Sequence, residues 1–172
     1  AQWTIPATFQ FQNGIEIIVM NNAKINASGT MTFIRNSMLT IMEKGEVNAD
    51  DVSFTNGAPA ALRNWGTLAV TNTMILHSGA TLYNEGTITS RDISINSNAV
   101  ATNNNIMRFT TISLTNTTFN NACSLEATTS FYANGATFNF TQGYLKAPTM
   151  EFVNGTVNLS NGSMLDATTS IY

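Results

Sequence analysis

Charged residues are scarce in this 172-residue chain. Asp, Glu, Lys and Arg make up 10% of it, whereas an average soluble domain carries about 25%. The seven Lys and Arg are scattered and the formal net charge is −3, which argues against nucleic-acid binding because that requires a concentrated basic surface. Uncharged polar residues replace the missing charges, with 26 Thr, 23 Asn and 13 Ser. Thr favours strands and Asn favours turns.

Cysteine, histidine and long apolar runs are also nearly missing. The single Cys123 cannot form an intrachain disulfide, and the single His77 has no neighbouring ligand with which to build a zinc site. The longest apolar run, Ile17–Met20, is far shorter than the roughly 20 residues of a membrane-spanning helix. There is no phosphate-binding loop, no dinucleotide fingerprint and no G-x-S-x-G elbow. We therefore expect no metal, no cofactor and no membrane insertion.

A repeat is the strongest positive feature. The segments LRNWGTL, from Leu62, and LYNEGTI, from Leu82, agree at four of seven positions. Their offset indicates a repeat of about 20 residues, a length typical of solenoids. A looser form, aliphatic-x-x-x-Gly-x-aliphatic, recurs from Ile25, Ile41 and Val100. In the last copy Asn104 takes the place of glycine. Both Gly and Asn tolerate positive φ, so the exchange predicts a left-handed backbone at this position.

Short segments of alternating apolar and polar residues lie between these copies. Each ends in Thr, Ser or Gln and a turn-forming residue, a pattern typical of strands with one buried face. They are FQFQNG from Phe9, VSFTNG from Val52, ISINSN from Ile93, ISLTNT from Ile112, FNFTQG from Phe138 and VNLSNG from Val157.

A unit of about 20 residues cannot bury its apolar face alone, but stacking on the next unit covers it. We therefore predict an all-β fold, a single-stranded parallel β-helix (β-solenoid) of about eight coils with about 20 residues each. The crossover rule favours the right-handed form. Residues 1–24 are expected to form an N-terminal cap and first coil, and residues 25–172 the repeating coils of the same domain. A β-sandwich is the alternative, because short strands with Asn and Gly turns also suit it.

Stacking predicts two inward columns of apolar side chains. The first column is Leu62, Leu82, Val100, Leu125, Leu145 and Leu165. The second column is Phe54, Leu76, Ile95, Leu114, Phe140 and Leu159. Stacking also makes Asn64 and Asn84 register-equivalent, so that their amides can share hydrogen bonds.

The motif L-x-N-x-G-T-[IL] at Leu62–Leu68 and Leu82–Ile88 resembles the repeats of bacterial surface β-helices, namely filamentous-haemagglutinin-type and autotransporter-passenger-like adhesins. This resemblance implies export, an extracellular location at the bacterial cell surface, and a rod that serves as a stalk or in adhesion. It implies no catalytic residues.

Few residues are candidates for binding. Trp65 and Tyr83 lie in successive motif copies, two places out of register, and would form a sugar-stacking patch if they face outward. The alternative is a contact at the rim of the coils or a cap. Glu126, Lys146 and Asp166 follow the leucines at 125, 145 and 165, and stacking would place them side by side with alternating sign. This charged column is interpreted as surface pairing, with a bound cation or sugar acid as the alternative.

The expected function is a non-enzymatic structural or adhesive segment of a bacterial surface or secreted protein, with a host or cell-surface glycan or protein as partner. One alternative is a polysaccharide lyase or glycosidase, since these enzymes also use β-helices, but the ten acidic residues are widely spread. The second alternative is ice binding by a Thr column at Thr129, Thr149 and Thr169. Open coil ends also predict that the chain belongs to a longer protein or associates end to end.

Overall fold

The computed structural model describes residues 1–55, 60–77, 79–96, 98–160 and 162–172, and these residues form strands and turns without a helix. No helix in these ranges is therefore long and apolar enough to cross a membrane. The strands are β1 (Gln2–Ile5), β2 (Phe9–Phe11), β3 (Glu16–Val19), β4 (Lys24–Ile34), β5 (Met38–Ile41), β6 (Glu46–Thr55), β7 (Ala61–Asn64), β8 (Thr67–Leu76), β9 (Thr81–Asn84), β10 (Thr87–Asn96), β11 (Val100–Asn103), β12 (Ile106–Thr115), β13 (Thr118–Asn121), β14 (Ser124–Asn134), β15 (Thr137–Phe140), β16 (Tyr144–Val153), β17 (Thr156–Leu159) and β18 (Met164–Ile171).

The strands alternate between two parallel sheets. The long-strand sheet has the order β1-β4-β6-β8-β10-β12-β14-β16-β18, with β2 also beside β4, and the short-strand sheet has the order β17-β15-β13-β11-β9-β7-β5-β3. Each inner coil supplies one strand to each sheet and pairs with the coils before and after it, and the first coil supplies both β1 and β2 to the long-strand sheet. The predicted parallel β-solenoid of about eight coils is confirmed, and its handedness stays a prediction.

The coils differ in length. Lys24 pairs with Glu46, which makes that coil 22 positions long, and Arg108 pairs with Glu126, which makes that coil only 18 positions long. The repeat length inferred from Leu62 and Leu82 is therefore an average over the coils. Two side chains separated by as many positions as Leu62 and Leu82 are therefore stacked on each other only where the coil that connects them has this average length.

Each long strand contains a bend. Burial alternates in its first and second halves, and two or three residues between the halves face outward. The pairing register shifts at the same points. Asp50 and Asp51 form the bend inside β6, and the Arg91–Asp92 ion pair lies at the bend of β10. A coil thus has three runs of alternating burial.

The first predicted apolar column is correct in part. Leu125, Leu145 and Leu165 are stacked in the long-strand sheet, as expected. Leu62 and Leu82 are stacked on each other in the short-strand sheet, so the single column of six is wrong. Leu82 continues to Ala101, and its expected neighbour Val100 is instead exposed.

The second predicted column contains the same kind of error. Phe54, Leu76, Ile95 and Leu114 are stacked in the long-strand sheet. Phe140 and Leu159 pair with each other in the short-strand sheet. Similar apolar-x-apolar segments occur in both sheets, and the alternation of residues alone does not say to which sheet a segment belongs.

Aromatic rings show how closely equivalent residues stack. The centroids of Phe11 and Phe33 are 4.7 Å apart and those of Phe33 and Phe54 are 4.9 Å apart, with nearly parallel rings. These distances equal the spacing of neighbouring strands, about 4.8 Å. All three phenylalanines are buried.

The motif glycines are required by close approach and not by positive φ. A Cβ on Gly66 or Gly86 would lie 2.3 or 2.1 Å from a carbonyl oxygen of the preceding coil, and neither glycine is left-handed. The residue that follows Gly86 in its column is Asn105 and not Asn104, since Ile106 N donates to Gly86 O as Thr87 N does to Gly66 O. The expected positive φ at Asn104 is wrong, because its backbone is not left-handed either.

The turns predicted at the ends of the short alternating segments are confirmed at two positions. Asn13 and Gly14 have φ values of 60° and 76°, and Gly143 after Gln142 has φ 76°. The turn residues expected at 56–57, 97 and 161 lie outside the described residues.

A buried amide ladder runs along one corner of the rod. Asn64 and Asn84 share a hydrogen bond, as predicted, and the ladder continues through Asn103 and Asn121, all fully buried. Each Nδ2 donates to the next Oδ1 at 2.8 Å. The remaining amide protons of Asn64, Asn84 and Asn103 reach backbone carbonyls of the following coils, so the ladder ties side chains to the backbone.

The ladder has a defined beginning and end. Ile41 pairs with Asn64, and Oδ1 of Asn64 is a buried acceptor without a donor among the described residues. At the other end Asn121 donates to Cys123 O and Tyr144 O, and Phe140 takes its position in the next coil.

The terminal coils expose apolar side chains. Residues 1–24 contain β1, β2 and β3, which stack directly on the second coil. The large apolar side chains exposed at the first coil are Trp3, Phe9, Ile15, Ile18 and Met20, and those exposed at the last coil are Leu159, Met164, Ile171 and Tyr172.

We predict that Asn84→Ala lowers the free energy of unfolding by about 2–3 kcal/mol, because buried amide groups of Asn64 and Asn103 lose a partner. Asn139→Ala is the matched control. Asn139 is the middle amide of an equivalent ladder on the solvent side, between Asn120 and Asn158, so its neighbours can turn to water. We expect a loss below about 0.5 kcal/mol there. Urea denaturation measures both values, and equal losses would contradict the role assigned to the buried ladder.

Candidate binding site

The x positions of the motif L-x-N-x-G-T point outward, because its Leu and Asn point into the core. Two columns of outward side chains therefore flank the buried ladder. The first column is Thr40, Arg63, Tyr83 and Thr102, which are in register. The second column is Met42, Trp65, Glu85 and Asn104, each directly following a paired strand residue, and Trp65 N, Glu85 N and Asn104 N donate to the preceding coil at 2.8 Å.

Trp65, Tyr83 and Glu85 form what we call the aromatic platform. Trp65 Nε1 donates to Glu85 Oε2 at 2.9 Å, and the Tyr83 hydroxyl donates to Glu85 Oε1. The ring centroids of Trp65 and Tyr83 are 6.0 Å apart at 54°. One carboxylate therefore holds both rings, which are half-buried and face outward.

Asn104 completes the platform on the side of the next coil. Its Nδ2 donates to the Tyr83 hydroxyl at 3.2 Å. The hydrogen bond to Glu85 raises the pKa of Tyr83 above its usual value near 10, with burial as a second cause. The phenol therefore stays protonated at neutral pH and keeps donating to Glu85.

The buried ladder lies directly beneath the platform. Asn64 stands between Arg63 and Trp65 in sequence, and Asn84 stands between Tyr83 and Glu85. Because these asparagines are buried and bonded to neighbouring coils, the backbone that carries the outward residues has little freedom. Tyr83 lies on β9 and Trp65 in the two-residue bend after β7, where its N–H is bonded to Ile41 O, so the platform is a rigid surface.

A groove of about 520 Å³ lies beside the platform. Thr40 in its wall donates to Glu16 Oε1 at 3.0 Å. The lining residues are Glu16, Thr40, Met42, Glu43, Arg63, Trp65 and Glu85.

The polar groups of the groove suit a hydroxylated ligand. Arg63 and Glu43 make no ion pair within the described part of the chain. A guanidinium and carboxylates at the edge of an indole offer donors, acceptors and a flat apolar face together. Three carboxylates against one guanidinium make the groove negative at neutral pH.

The predicted charged column is in register. Glu126 pairs with Lys146 and Lys146 with Asp166, and Arg108 precedes Glu126, so four alternating charges occupy successive coils. The ion pairs are Arg108 Nε to Glu126 Oε2 at 3.0 Å and Lys146 Nζ to Asp166 Oδ2 at 4.0 Å.

Glu126 is the most constrained member of this column. It accepts hydrogen bonds from the Tyr144 hydroxyl, from Arg108 and from Ser124. The Tyr144 hydrogen bond, and then the Arg108 guanidinium, hold the pKa of the Glu126 carboxyl below its usual value despite partial burial. These partners satisfy the carboxylate within the protein, which favours surface pairing over ligand binding.

Two other sequence features have no site around them. Thr149 pairs with Ser130 and Ser170, so the expected column of Thr129, Thr149 and Thr169 is not formed; the register shifts at the strand bends displace it. His77 lies directly after β8, half-buried. Across the described ranges, no three His, Cys, Asp or Glu side chains are placed to hold a metal ion.

Sequence reasoning missed Arg63, Met42, Glu85 and Asn104. A signal for Arg63 and Glu85 was present, since both occupy outward x positions of the same motif as the two aromatic residues. Met42 and Asn104 belong to copies of the motif in coils of other lengths, where the offset between Leu62 and Leu82 does not apply.

We predict that acid destabilises the protein partly through Glu126. A lowered carboxyl pKa stabilises the fold above the unfolded value near 4.5, and this contribution is lost as the pH falls through the folded value. Glu126→Gln should therefore show a smaller fall in Tm between about pH 6 and pH 3 than the parent.

Glu151→Gln is the control, because Glu151 is an exposed carboxylate on the same sheet with no ion pair among the described residues. Thermal unfolding followed by circular dichroism measures the difference. The same acid sensitivity in Glu126→Gln and the parent would contradict the role of the Tyr144 and Arg108 contacts.

Comparison with known proteins adds no relative: no protein-family model, no curated protein and no solved structure matches this chain. The solenoid is therefore established by its own strand register. The resemblance of the L-x-N-x-G-T motif to surface β-helices stays a prediction, and function must be argued from the chemistry of the platform and groove.

Proposed function

We propose that this chain is a non-enzymatic adhesive β-solenoid segment of a bacterial surface or secreted protein, and that it binds carbohydrate at the aromatic platform. The observation that carries the proposal is that Glu85 fixes Trp65 and Tyr83 side by side on the outside of the rod. Aromatic rings that face solvent and are already held in place contribute apolar contact area to a sugar ring without losing side-chain freedom on binding.

The groove supplies the polar half of a carbohydrate site. Pyranose rings present apolar faces and a rim of hydroxyls, and the groove places Arg63 and Glu43 around the Trp65 ring. Neither charged group has an ion-pair partner in the described structure, so both are free to bond hydroxyls. The groove is lined by five polar or charged side chains and two apolar ones, Met42 and Trp65, so it offers a sugar both hydrogen-bonding groups and apolar contact.

The arrangement of carboxylates supports binding over turnover. Both oxygens of Glu85 are engaged by Trp65 and Tyr83, and one oxygen of Glu16 is engaged by Thr40. Glycoside hydrolysis uses two carboxyl groups on either side of the bond to be cleaved. A carboxylate committed to holding two aromatic rings is a positioning group.

The rod supports a role at a surface. A solenoid with coils stacked at about 4.8 Å holds a site at a fixed distance along its axis. The resemblance of the motif at Leu62 and Leu82 to adhesin repeats supports export and display in the same way.

We predict that Trp65→Ala weakens carbohydrate binding at least about tenfold through loss of the stacking surface. Tyr132→Ala is the matched control, since Tyr132 is an outward tyrosine of the long-strand sheet. A glycan array identifies the ligands, and calorimetry with the parent and both variants measures affinity. Product release from any polysaccharide would contradict the non-enzymatic assignment, and no binding to any glycan would contradict the platform.

A further inference from the structure

The two outward columns change character along the rod. From Arg63/Trp65 to Tyr83/Glu85 they are charged and aromatic, and from the next coil onward both are uncharged, with polar side chains throughout the first column and Ala122 interrupting the second. The uncharged continuation of the first column, which we call the amide track, consists of Thr102, Asn120, Asn139 and Asn158 in register.

The amides of the track are held in one orientation. Asn158 Nδ2 donates to Asn139 Oδ1 at 2.7 Å, Asn139 Nδ2 to Asn120 Oδ1 at 2.8 Å, and Asn120 Nδ2 to Thr102 Oγ1 at 3.4 Å. A carboxamide has two N–H protons and two carbonyl lone pairs, so Asn139 in the middle retains one of each for a ligand. Asn120, which also donates one bond and accepts one, keeps the same donor and acceptor pair, so the track presents this pair at two successive coils.

We propose that the amide track extends the platform into a linear site for a neutral, β-1,4-linked polysaccharide that runs parallel to the rod axis. This inference rests on the proposed carbohydrate binding at the platform and names the class and direction of the chain.

The coil spacing supports this direction. Successive track residues are one strand spacing apart, about 4.8 Å, which is close to the advance of an extended β-1,4-linked chain per sugar. A chain along the axis then meets one polar side chain per sugar, after stacking a ring on Trp65 and Tyr83. A chain perpendicular to the axis would lie along a single coil. It would contact only one residue of the track and could not benefit from its repetition in successive coils.

Charge supports a neutral ligand. The groove beside the platform has three carboxylates, Glu16, Glu43 and Glu85, against Arg63, and the track has no ionised group to pair with an acid. A uronic-acid chain would therefore lose solvation on the track and meet repulsion at the groove. Neutral hydroxyls meet amides and hydroxyls throughout.

The test measures affinity against chain length for three neutral series, the cello-, N-acetylchito- and manno-oligosaccharides from two to eight sugars. We expect at least one series to gain about tenfold in affinity from two sugars to six and then to level off, since six coils run from Arg63 to Asn158. Oligomannuronates of the same linkage differ from the manno series in their carboxylates, and we expect their affinity to be at least about tenfold lower.

Asn120→Leu interrupts the track without touching the platform. It should abolish the gain beyond about three sugars and leave disaccharide binding unchanged. Asn26→Leu is the control, because Asn26 is an outward amide bonded to Asn48 on the long-strand sheet. Circular dichroism confirms that each variant folds.

The outcomes separate the two proposals. Failure of every oligosaccharide to bind would overturn carbohydrate binding itself. Binding that is independent of length, or a gain that persists in Asn120→Leu, would overturn the axial track while leaving the platform intact. Equal affinity for oligomannuronates would overturn the neutral ligand class.

Discussion

Parallel hydrogen bonding between each coil and the next is the constraint on which the structure depends. A backbone that pairs in parallel with its own continuation must place every side chain against the side chain one coil away. The repeat therefore extends through all parts of the cross-section. Phenylalanines stack on phenylalanines in the core, asparagines on asparagines at a corner, and opposite charges alternate from Arg108 to Asp166 on the surface.

The buried asparagines show how this constraint handles a polar core group. An isolated buried amide costs free energy, but an amide stacked on its equivalent has a donor above and an acceptor below. The cost is confined to the first member, where Ile41 offers no donor and Asn64 Oδ1 stays without a partner. The same ladder fixes the backbone under Trp65 and Tyr83, so a core feature determines the geometry of a surface feature.

The candidate site follows from the same logic. A motif whose Leu and Asn point inward must point its two x residues outward, and stacking places the x residues of successive coils in two columns. Arg63, Trp65, Tyr83 and Glu85 are neighbours for this reason alone. No loop or insertion is needed to assemble the platform, which is why its residues come from two successive copies of one motif.

The sequence by itself determined that the fold is all-β, and it favoured a solenoid over a β-sandwich because a unit of about 20 residues that repeats along the chain covers its apolar face by stacking on the next unit. It also determined which side chains are stacked on each other in coils of that length. These are Leu125, Leu145 and Leu165, the pair Asn64 and Asn84, and the charged column. Only the tertiary structure decided which sheet a segment joins and how far the register moves from coil to coil. The bends of the long strands take two or three residues, and this small difference separates Thr129 from Thr149 and places Asn105 and not Asn104 after Gly86. Backbone pairing across the whole coil sets that count, and no local pattern of residues records it.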